Sequence, residues 1–369
     1  MSTNLMTVSN QWATRPDDQR YLNLDDLHAA VQARRESSVV TDVAMEHLQV
    51  MPATDAGDSP MVLLAPGQDR EMRPLGQLTH YTFGQLATKV GAPAGYLRTL
   101  PPILAASAMQ WSLEQRGLQG EDAKVLARVN GSTMVAGVNS PTYGRIWDAQ
   151  ITGPLSKHLD RSKWKVPSAS YAARDPKRAT TLYASDRDIF VFLVNESCVI
   201  EVPGEGPKYR GFYVSNSEVG DGKLDFATFL YDYVCDNRIV WGATQVEQIS
   251  IRHTSGAPMR FIAQVEPQLT RVIAASSQNE VKTIVAAQNK VLGKDKGEVV
   301  AWLQKRGFSQ KMATNAYNTT EQEGVRNPRS LWGAISGLTG AAKDIPHTND
   351  RMKVEKQASA LLESVREFA

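Results

Sequence analysis

The strongest constraint in this 369-residue sequence is a change of hydrophobic period at Pro267. Before Pro267, short apolar runs alternate with polar residues and are separated by turn formers, as in strands. After it, apolar residues recur three and four positions apart, as in helices. Closely spaced strands leave little room for crossover helices, which favours antiparallel pairing. The sequence therefore predicts an α+β fold: a mainly antiparallel sheet with flanking helices, followed by an all-helical C-terminal region.

The length and the local patterns together predict three regions. A chain of 369 residues is larger than a single hydrophobic core usually supports. Residues 1–60 are weakly patterned and are predicted to form a peripheral N-terminal arm. Residues 61–266 are predicted to form the α+β core domain, and residues 267–369 the helical C-terminal region.

Local signals place several elements within these regions. A helix is predicted between Thr82, as its cap, and Gly91, as its stop. The dipeptide Asn130-Gly131 tolerates positive φ and predicts a hairpin between two strands. A second hairpin is predicted across residues 255–258, with strands over 245–252 and 259–265.

Residues 208–241 combine three patterns within a short stretch. Phe212 and Val214 alternate with polar neighbours as in a half-buried strand, and residues 215–222 are rich in turn formers. From Leu224 onward, apolar residues at helical spacing predict an amphipathic helix. These residues are Phe226, Phe229, Leu230, Tyr233 and Val234.

Five carboxylates surround the predicted turn and helix. They are Glu218, Asp221, Asp225, Asp232 and Asp236. In a helix, Asp232 and Asp236 would share one face at spacing i, i+4. Two such carboxylates can hold Mg²⁺ for phosphoryl chemistry, although a solvated helix face with turn capping is the commoner arrangement. A metal-dependent nuclease therefore stays an alternative.

The same stretch and the end of the chain resemble a known family. The matching segments are residues 215–220, residues 235–240, Arg252-His253, residues 329–339, Asp350, Arg351 and Glu355. They resemble the phage/plasmid-like family filed as domain of unknown function 932, over most of residues 78–362. The sequence departs from the family where Arg238 follows Asn237, a position at which a Gly is expected. The resemblance implies a mobile-element context and supplies no settled activity.

Composition narrows the class of protein. The chain has 41 basic and 39 acidic residues, so affinity for a polyanion has to come from local clusters. No apolar run reaches membrane-spanning length and no secretory signal opens the sequence, which predicts a cytoplasmic protein of a bacterial or phage-infected cell with no membrane contact. Cys198 and Cys235 are predicted to be reduced core thiols.

A basic segment runs from Arg161 to Arg178. Its six cations are accompanied by a single acidic residue, Asp175, and by two aromatic residues. A flexible basic loop with aromatic side chains suits a phosphate backbone and exposed bases. The predicted nucleic-acid contacts are Arg161, Lys163, Trp164, Lys165, Tyr171, Arg174, Lys177, Arg178, Arg252 and His253.

Other motifs of catalysis are missing from the sequence. The histidines and cysteines lack zinc-like spacing. The pairs Gly204/Gly206 and Gly220/Gly222 do not continue as phosphate-binding loops, and no nucleophile elbow is present. The sequence therefore predicts no catalytic residue, no cofactor and no metal.

These observations favour a phage or plasmid protein that binds nucleic acid. Single-stranded DNA is the expected partner, in strand annealing during replication or recombination, and a homo-oligomer is compatible with this role. The alternatives are the nuclease-like enzyme and a counter-defence or assembly factor that acts through protein contacts.

Overall fold

The computed structural model describes residues 17–53, 61–116, 120–166, 180–232, 238–241, 249–265, 267–268, 271, 278–342, 345 and 348–366. The predicted α+β class is confirmed: two mainly antiparallel sheets with flanking helices precede a helical C-terminal region. Within these ranges, no helix is both long enough and apolar enough to cross a bilayer.

The strands divide between the two sheets. They are β1 (Arg20–Tyr21), β2 (Ser38–Ala44), β3 (Gln49–Pro52), β4 (Met61–Pro66), β5 (Met72–Leu78), β6 (Asp122–Asn130), β7 (Ser132–Asn139), β8 (Trp164–Lys165), β9 (Leu182–Ala184), β10 (Ile189–Ile200), β11 (Lys208–Asn216), β12 (Leu224–Asp232), β13 (Arg238–Trp241) and β14 (Ile249–Ile251).

The helices cover the sheets and then form the C-terminal region. They are α1 (Leu24–Glu36), α2 (His80–Lys89), α3 (Ala94–Leu97), α4 (Pro102–Gln115), α5 (Asp148–His158), α6 (Ala257–Arg260), α7 (Gln278–Asn289), α8 (Lys296–Gln304), α9 (Gln310–Glu323), α10 (Leu331–Ala341), α11 (Thr348–Ala360) and α12 (Glu363–Arg366).

The smaller sheet has the strand order β2-β6-β7-β5-β4-β3. Its pairs are antiparallel except β5 with β7, which run parallel. Helices α2 and α4 supply Phe83 and Met109 to a core shared with Leu63 and Val125 of the sheet. The hairpin predicted at Asn130-Gly131 is confirmed between β6 and β7, with Gly131 at φ +71°.

The larger sheet has the order β1-β9-β10-β11-β12-β13, with β8 also on β10 and β14 also on β12. Helices α1 and α5 supply Leu27 and Leu155 to its core, where they join Val191, Phe212 and Phe226. Strand β10 is continuous from Ile189 to Ile200, although its register with β11 shifts between Asn195 and Val199.

The predicted peripheral arm is wrong for the described part of residues 1–60. Strand β2 pairs with β6 along its whole length, and β3 pairs with β4. Helix α1 buries Leu27 and Val31 completely. The pattern was weak because β2 and β3 lie at the edges of their sheet, where side chains such as Val39 and Met51 stay exposed.

The helix predicted from Leu224 is also wrong, because this segment is strand β12. Its residues pair with β11 from Asp232, opposite Lys208, to Asp225, opposite Ser215. Leu224, Phe226 and Leu230 are fully buried, so the segment also satisfies the period of two that a strand requires. Residues 233–237, which include Tyr233, Val234 and Asp236, lie outside the described residues.

The second predicted hairpin is corrected as well. Only β14 forms, and the chain then turns helical in α6, followed by a single π-helical turn over Phe261–Val265. Pro258 fits the first turn of a helix, where its missing N–H costs nothing, and it cannot donate to a strand ladder.

Beyond residue 267, the named elements of the described chain are all helices, as predicted. These helices pack Trp332 and Leu338 against Ile200 and Leu230 of the larger sheet. The helical region therefore shares a core with one end of that sheet.

Candidate nucleic-acid interface

The described part of the predicted basic loop is electrostatically paired. Each of its three cations lies beside a carboxylate. The pairs are Arg161 with Asp25, Lys163 with Asp160 at 3.2 Å, and Lys165 with Glu196 at 2.9 Å. Because each positive charge has a negative partner, this segment offers little net positive potential to a phosphate backbone.

Trp164 does not have the predicted role of a base-stacking residue. Its side chain is only 3% exposed and belongs to the core of the larger sheet. Its ring lies 5.3 Å from the ring of Phe212, and its backbone pairs with Asn195. Trp164 therefore anchors the loop, and it could reach a base only by leaving the core. The other predicted loop contacts, Tyr171, Arg174, Lys177 and Arg178, lie outside the described residues.

Arg252 and His253 follow β14, on a different edge of the sheet from β8. Arg252 is exposed, and its carbonyl accepts a hydrogen bond from Arg260 at 2.9 Å. The His253 ring stacks on Tyr143 at 5.0 Å, and its Nδ1 lies 3.1 Å from the Gly144 carbonyl. Burial lowers the pKa of His253, which favours a neutral ring that positions the neighbouring loop.

The turn after β11 carries a buried carboxylate that joins the two sheets. Glu218 is 1% exposed. Its Oε2 accepts from Arg128 Nη2 of β6 at 2.6 Å, and its Oε1 accepts from the backbone N–H of Asp148 at 2.8 Å. Glu218 thus connects the larger sheet to β6 of the smaller sheet and to the start of α5.

A second carboxyl group lies in the same buried cluster. Asp148 Oδ1 accepts from Asn216 Nδ2 at 2.8 Å, and Asn216 also donates to the Ile146 carbonyl at 2.9 Å. Burial, followed by the charge of Glu218, raises the pKa of Asp148 well above its ordinary value. This cluster is closed to solvent and has the character of a structural junction.

Val219 inserts between the sheets beside Glu218. Its carbonyl accepts from Gln85 Nε2 and from Asn139 Nδ2, both at 2.8 Å. The next residue, Gly220, has φ +93°, and a Cβ there would lie 2.9 Å from Asn139 Nδ2. The turn that carries the family resemblance therefore fits closely between α2 and β7.

The described members of the five-carboxylate set in the sequence hypothesis do not form a metal site. Glu218 is committed to Arg128, and Asp225 pairs with Lys223 at 3.4 Å. Asp232 belongs to a strand, so the helical spacing proposed for Asp232 and Asp236 does not apply, and Asp236 lies outside the described residues. Among the residues that the structure does describe, no three His, Cys, Asp or Glu side chains are placed to hold a metal ion.

A cavity of about 520 Å³ opens on the outer face of α2, next to the inserted Val219; we call it the α2 groove. Its lining residues are His80, Tyr81, Gly84, Gln85, Thr88, Lys89, Ala94, Arg98, Val138 and Arg187. Three of these are permanent cations, and none is a carboxylate. The groove therefore has the charge that an anionic ligand requires.

Contacts with aromatic rings and backbone hold two of these cations in place. The Arg187 guanidinium lies 5.9 Å from the centre of the Tyr81 ring, and that of Arg98 lies 5.0 Å from the Phe83 ring. Arg98 Nη2 also donates to the His80 carbonyl at 2.9 Å. Burial and the nearby Asp221 raise the pKa of Tyr81 to about 12, so its hydroxyl keeps its proton at neutral pH.

A second cavity, of about 550 Å³, lies between α1 and the smaller sheet. It is lined by Arg34 and Arg128 but also by Asp186. Arg128 is already bound to Glu218 and donates to the Asp186 carbonyl at 2.8 Å. This cavity is therefore less suited to an anion than the α2 groove.

Few features of the sequence indicated the α2 groove. Lys89, Arg98 and Arg187 come from three separate segments, and no local run of charge marks any of them. The feature of the sequence that could have indicated the groove is the polar outer face of the helix predicted between Thr82 and Gly91.

No protein-family model, no curated protein and no solved structure matches this chain. The resemblance to domain of unknown function 932 stays a prediction, and function is inferred below from the residues of the chain itself.

Proposed function

We propose that the protein binds single-stranded DNA in the α2 groove, in a role such as strand annealing during phage or plasmid replication or recombination. One observation carries this proposal: Lys89, Arg98 and Arg187 line the groove, and none of the described residues that line it is a carboxylate. A groove that presents several cations can follow a phosphate backbone, and its binding releases counterions condensed on the nucleic acid.

Aromatic side chains at the groove support the choice of a single strand. Tyr81 lines the groove, and Tyr96 of α3, two residues before Arg98 in the chain, is 62% exposed. Unpaired bases stack on such rings, whereas the bases of a duplex are already stacked on one another. The basic loop at residues 161–166 receives less support because each of its cations already has a carboxylate partner.

The decisive measurement is fluorescence anisotropy with a labelled, mixed-sequence single-stranded oligonucleotide across a salt series. The groove variant is Lys89→Ala/Arg98→Ala/Arg187→Ala. If all three cations contact phosphates, the slope of log K against log salt should flatten by about 2, since each contact contributes about 0.7. The charge-matched control is Arg161→Ala/Lys163→Ala/Lys165→Ala, for which we expect the wild-type slope.

A second variant tests the shape of the groove without changing charge. A Cβ at Gly84 would lie 3.4 Å from Arg98 Nη2, so Gly84→Leu should fill the groove. Gly95→Leu is the control, because no atom lies within 4 Å of a Cβ built at Gly95. We expect Gly84→Leu alone to weaken binding. Wild-type affinity and slope in both groove variants would refute the proposal, and metal-dependent cleavage of the oligonucleotide would favour the nuclease alternative.

A further inference from the structure

Helices α8 and α9 are joined by a tight turn that ends the first helix in a defined way. Gly307 has φ +87°, which is the left-handed conformation that favours glycine. Its N–H donates to the Gln304 carbonyl at 3.0 Å, and the N–H of Phe308 donates to the Leu303 carbonyl at 3.3 Å. These two bonds form a Schellman motif, which stops α8 and redirects the chain.

The second helix begins at once. Ser309 is its N-cap, and the Ser309 hydroxyl oxygen accepts from the backbone N–H of Met312 at 3.2 Å. Phe308 is buried in the core of the helical region and fixes the turn against it. Residues 305–309 therefore make a five-residue connection between the two helices, a short turn around Gly307 that is similar to the connection in helix-turn-helix motifs.

Packing against α10 decides which face of α9 meets solvent. Ala313, Ala316 and Thr320 are buried, and the Thr320 hydroxyl donates to the Gly333 carbonyl at 2.8 Å. The outer face of the first three turns carries Gln310, Lys311, Thr314, Asn315 and Asn318. Thr314 and Asn318 are half-buried and the other three are exposed.

The residue types on this face are those that hydrogen-bond to base edges. Asn and Gln pair with adenine, Lys with guanine, and Thr with several bases in the major groove. A merely solvated helix usually mixes Glu with Lys, but this face holds no carboxylate before Glu321. In a helix-turn-helix, the N-terminal part of the second helix contacts the bases. The acidic residues Glu321 and Glu323 lie at the other end of α9.

The charges around the turn suit a polyanion. Lys305, Arg306 and Lys311 are exposed, and in the described part of the chain no carboxylate forms a salt bridge with them. The carboxylates of Asp295 and Glu298 lie at the opposite end of α8 and accept backbone N–H groups, Asp295 from Glu298 and Glu298 from Lys294. The end of the first helix would thus face the phosphate backbone with cations alone.

We propose that residues 296–323 form a helix-turn-helix that binds duplex DNA, with α9 in the major groove. The cations at the turn contact phosphates, while Gln310 and Asn315 contact base edges. This site is separate from the α2 groove and does not depend on the single-strand proposal.

The first test uses the full chain with a labelled mixed-sequence duplex and, in parallel, with one of its strands alone. For Lys305→Ala/Arg306→Ala/Lys311→Ala we expect a loss of duplex affinity of about tenfold or more and a salt slope smaller by about 3, since each duplex contact contributes about 0.9. Single-strand binding should not change. The control is Arg161→Ala/Lys163→Ala/Lys165→Ala, which removes the same charge elsewhere and should bind duplex normally.

The second test separates base contacts from phosphate contacts. Wild-type protein should enrich a short motif from a pool of random duplexes, and Gln310→Ala/Asn315→Ala should relax the preference within that motif with an unchanged salt slope. Melting curves establish that each variant is folded. If the triple variant fails to fold, Lys305→Gln/Lys311→Gln replaces it.

Three results would overturn the proposal: wild-type protein that does not bind duplex, a triple variant with wild-type duplex affinity and slope, or equal losses on duplex and single strand. Failure of the α2 groove proposal is seen on a different probe. If the α2 groove proposal fails, the groove variants keep single-strand binding. The variant Lys305→Ala/Arg306→Ala/Lys311→Ala still loses duplex binding in that case.

Discussion

Asp148 and Glu218 place two carboxyl groups in one buried cluster, where each has a different hydrogen-bond partner. Glu218 is paired with Arg128 at 2.6 Å, which stabilises its charge. The carboxyl of Asp148 instead accepts from the neutral amide of Asn216 at 2.8 Å. Desolvation and the charge of Glu218 raise the pKa of Asp148 well above its ordinary 3.8. Asp148 therefore holds a proton more readily in the folded protein than in the unfolded chain.

This difference predicts how stability depends on pH. The folded protein keeps a proton on Asp148 that the unfolded chain releases, so this contribution is present below the ordinary pKa and is lost as pH rises through the raised pKa. Asn at position 148 imitates the protonated form. We expect the stability of Asp148→Asn, relative to wild type, to increase from about pH 4 to about pH 8 in urea unfolding. The exposed Asp69→Asn is the control for lost charge, and a stability difference that does not vary with pH would contradict the prediction.

Trp164 was predicted to stack on bases because of its neighbours in the sequence, whereas the structure places it in the core. An aromatic residue between Lys163 and Lys165 has the local sequence of a base-stacking site, and its burial is decided by strand β10, which lies further along the chain. A local stretch of sequence shows only the residues adjacent in the chain. The Phe212 ring that packs against Trp164 is distant in sequence and comes close only in the folded protein.

At the scale of elements, the spacing of apolar residues in β12 does not distinguish a helix from a strand. Phe226, Phe229 and Leu230 fit one face of a helix, yet Leu224, Phe226 and Leu230 equally fit one face of a strand. The ladder with β11, from Lys208 to Ser215, decides between them because it satisfies the backbone of both segments. Tertiary pairing overrides the local pattern here.

Strand β12 gives a direct test of the corrected assignment. Phe226 is fully buried, and its ring lies 6.0 Å from that of Phe212. Phe226→Ala should lower the free energy of unfolding by about 3–5 kcal/mol through lost burial and a cavity. Met259→Ala is the control, because Met259 is 72% exposed and should change stability by no more than about 0.5 kcal/mol. An unchanged urea midpoint for Phe226→Ala would show that this face of β12 is not core.

Other elements were predictable because their signals are local. The helix predicted between Thr82 and Gly91 exists as α2 and buries Phe83 and Leu86, although its cap is Thr79. Helix α9 went unpredicted because its buried face is made of small and polar residues such as Ala313 and Thr320. Its two ends do carry local signals, Ser309 as the N-cap and Gly324 at φ +66°.

At the scale of the whole molecule, the two proposed surfaces have different origins in the sequence. The helix-turn-helix lies within 28 consecutive residues, 296–323, so its caps, turn and charges can be recognised from the chain alone. The α2 groove is assembled from Lys89, Arg98 and Arg187, which only the packing of β7, α2 and the β9–β10 turn brings together. If both proposals hold, one chain binds a single strand and a duplex, which are the two forms of DNA that meet at an annealing junction.

Besides the apolar core, a buried carboxylate connects the helical region to the larger sheet. Glu205, between β10 and β11, accepts from Arg326 Nε at 2.8 Å and from Trp332 Nε1 at 2.7 Å, and it lies 3.2 Å from Lys208 Nζ. Burial opposes the charge of Glu205, but the hydrogen bonds and charge of Arg326 outweigh burial and lower its pKa. The ionised carboxylate is therefore the form that holds α10 against the sheet.

The substitution Glu205→Gln should distinguish the contribution of this carboxylate to stability from the contribution of the apolar contacts of Trp332 and Leu338. Removing one partner of a buried ion pair costs about 3–5 kcal/mol, so we expect a loss of that order in urea unfolding at neutral pH. The loss should shrink as pH falls below the ordinary glutamate pKa of 4.5, because a lowered pKa gives stability that is present above this value and lost as the folded carboxylate takes up its proton. Hydrogen exchange should quicken in α9 and α10 more than in β10 and β11. The exposed Glu298→Gln is the control, and equal exchange in both regions would mean that apolar packing alone holds the helices to the sheet.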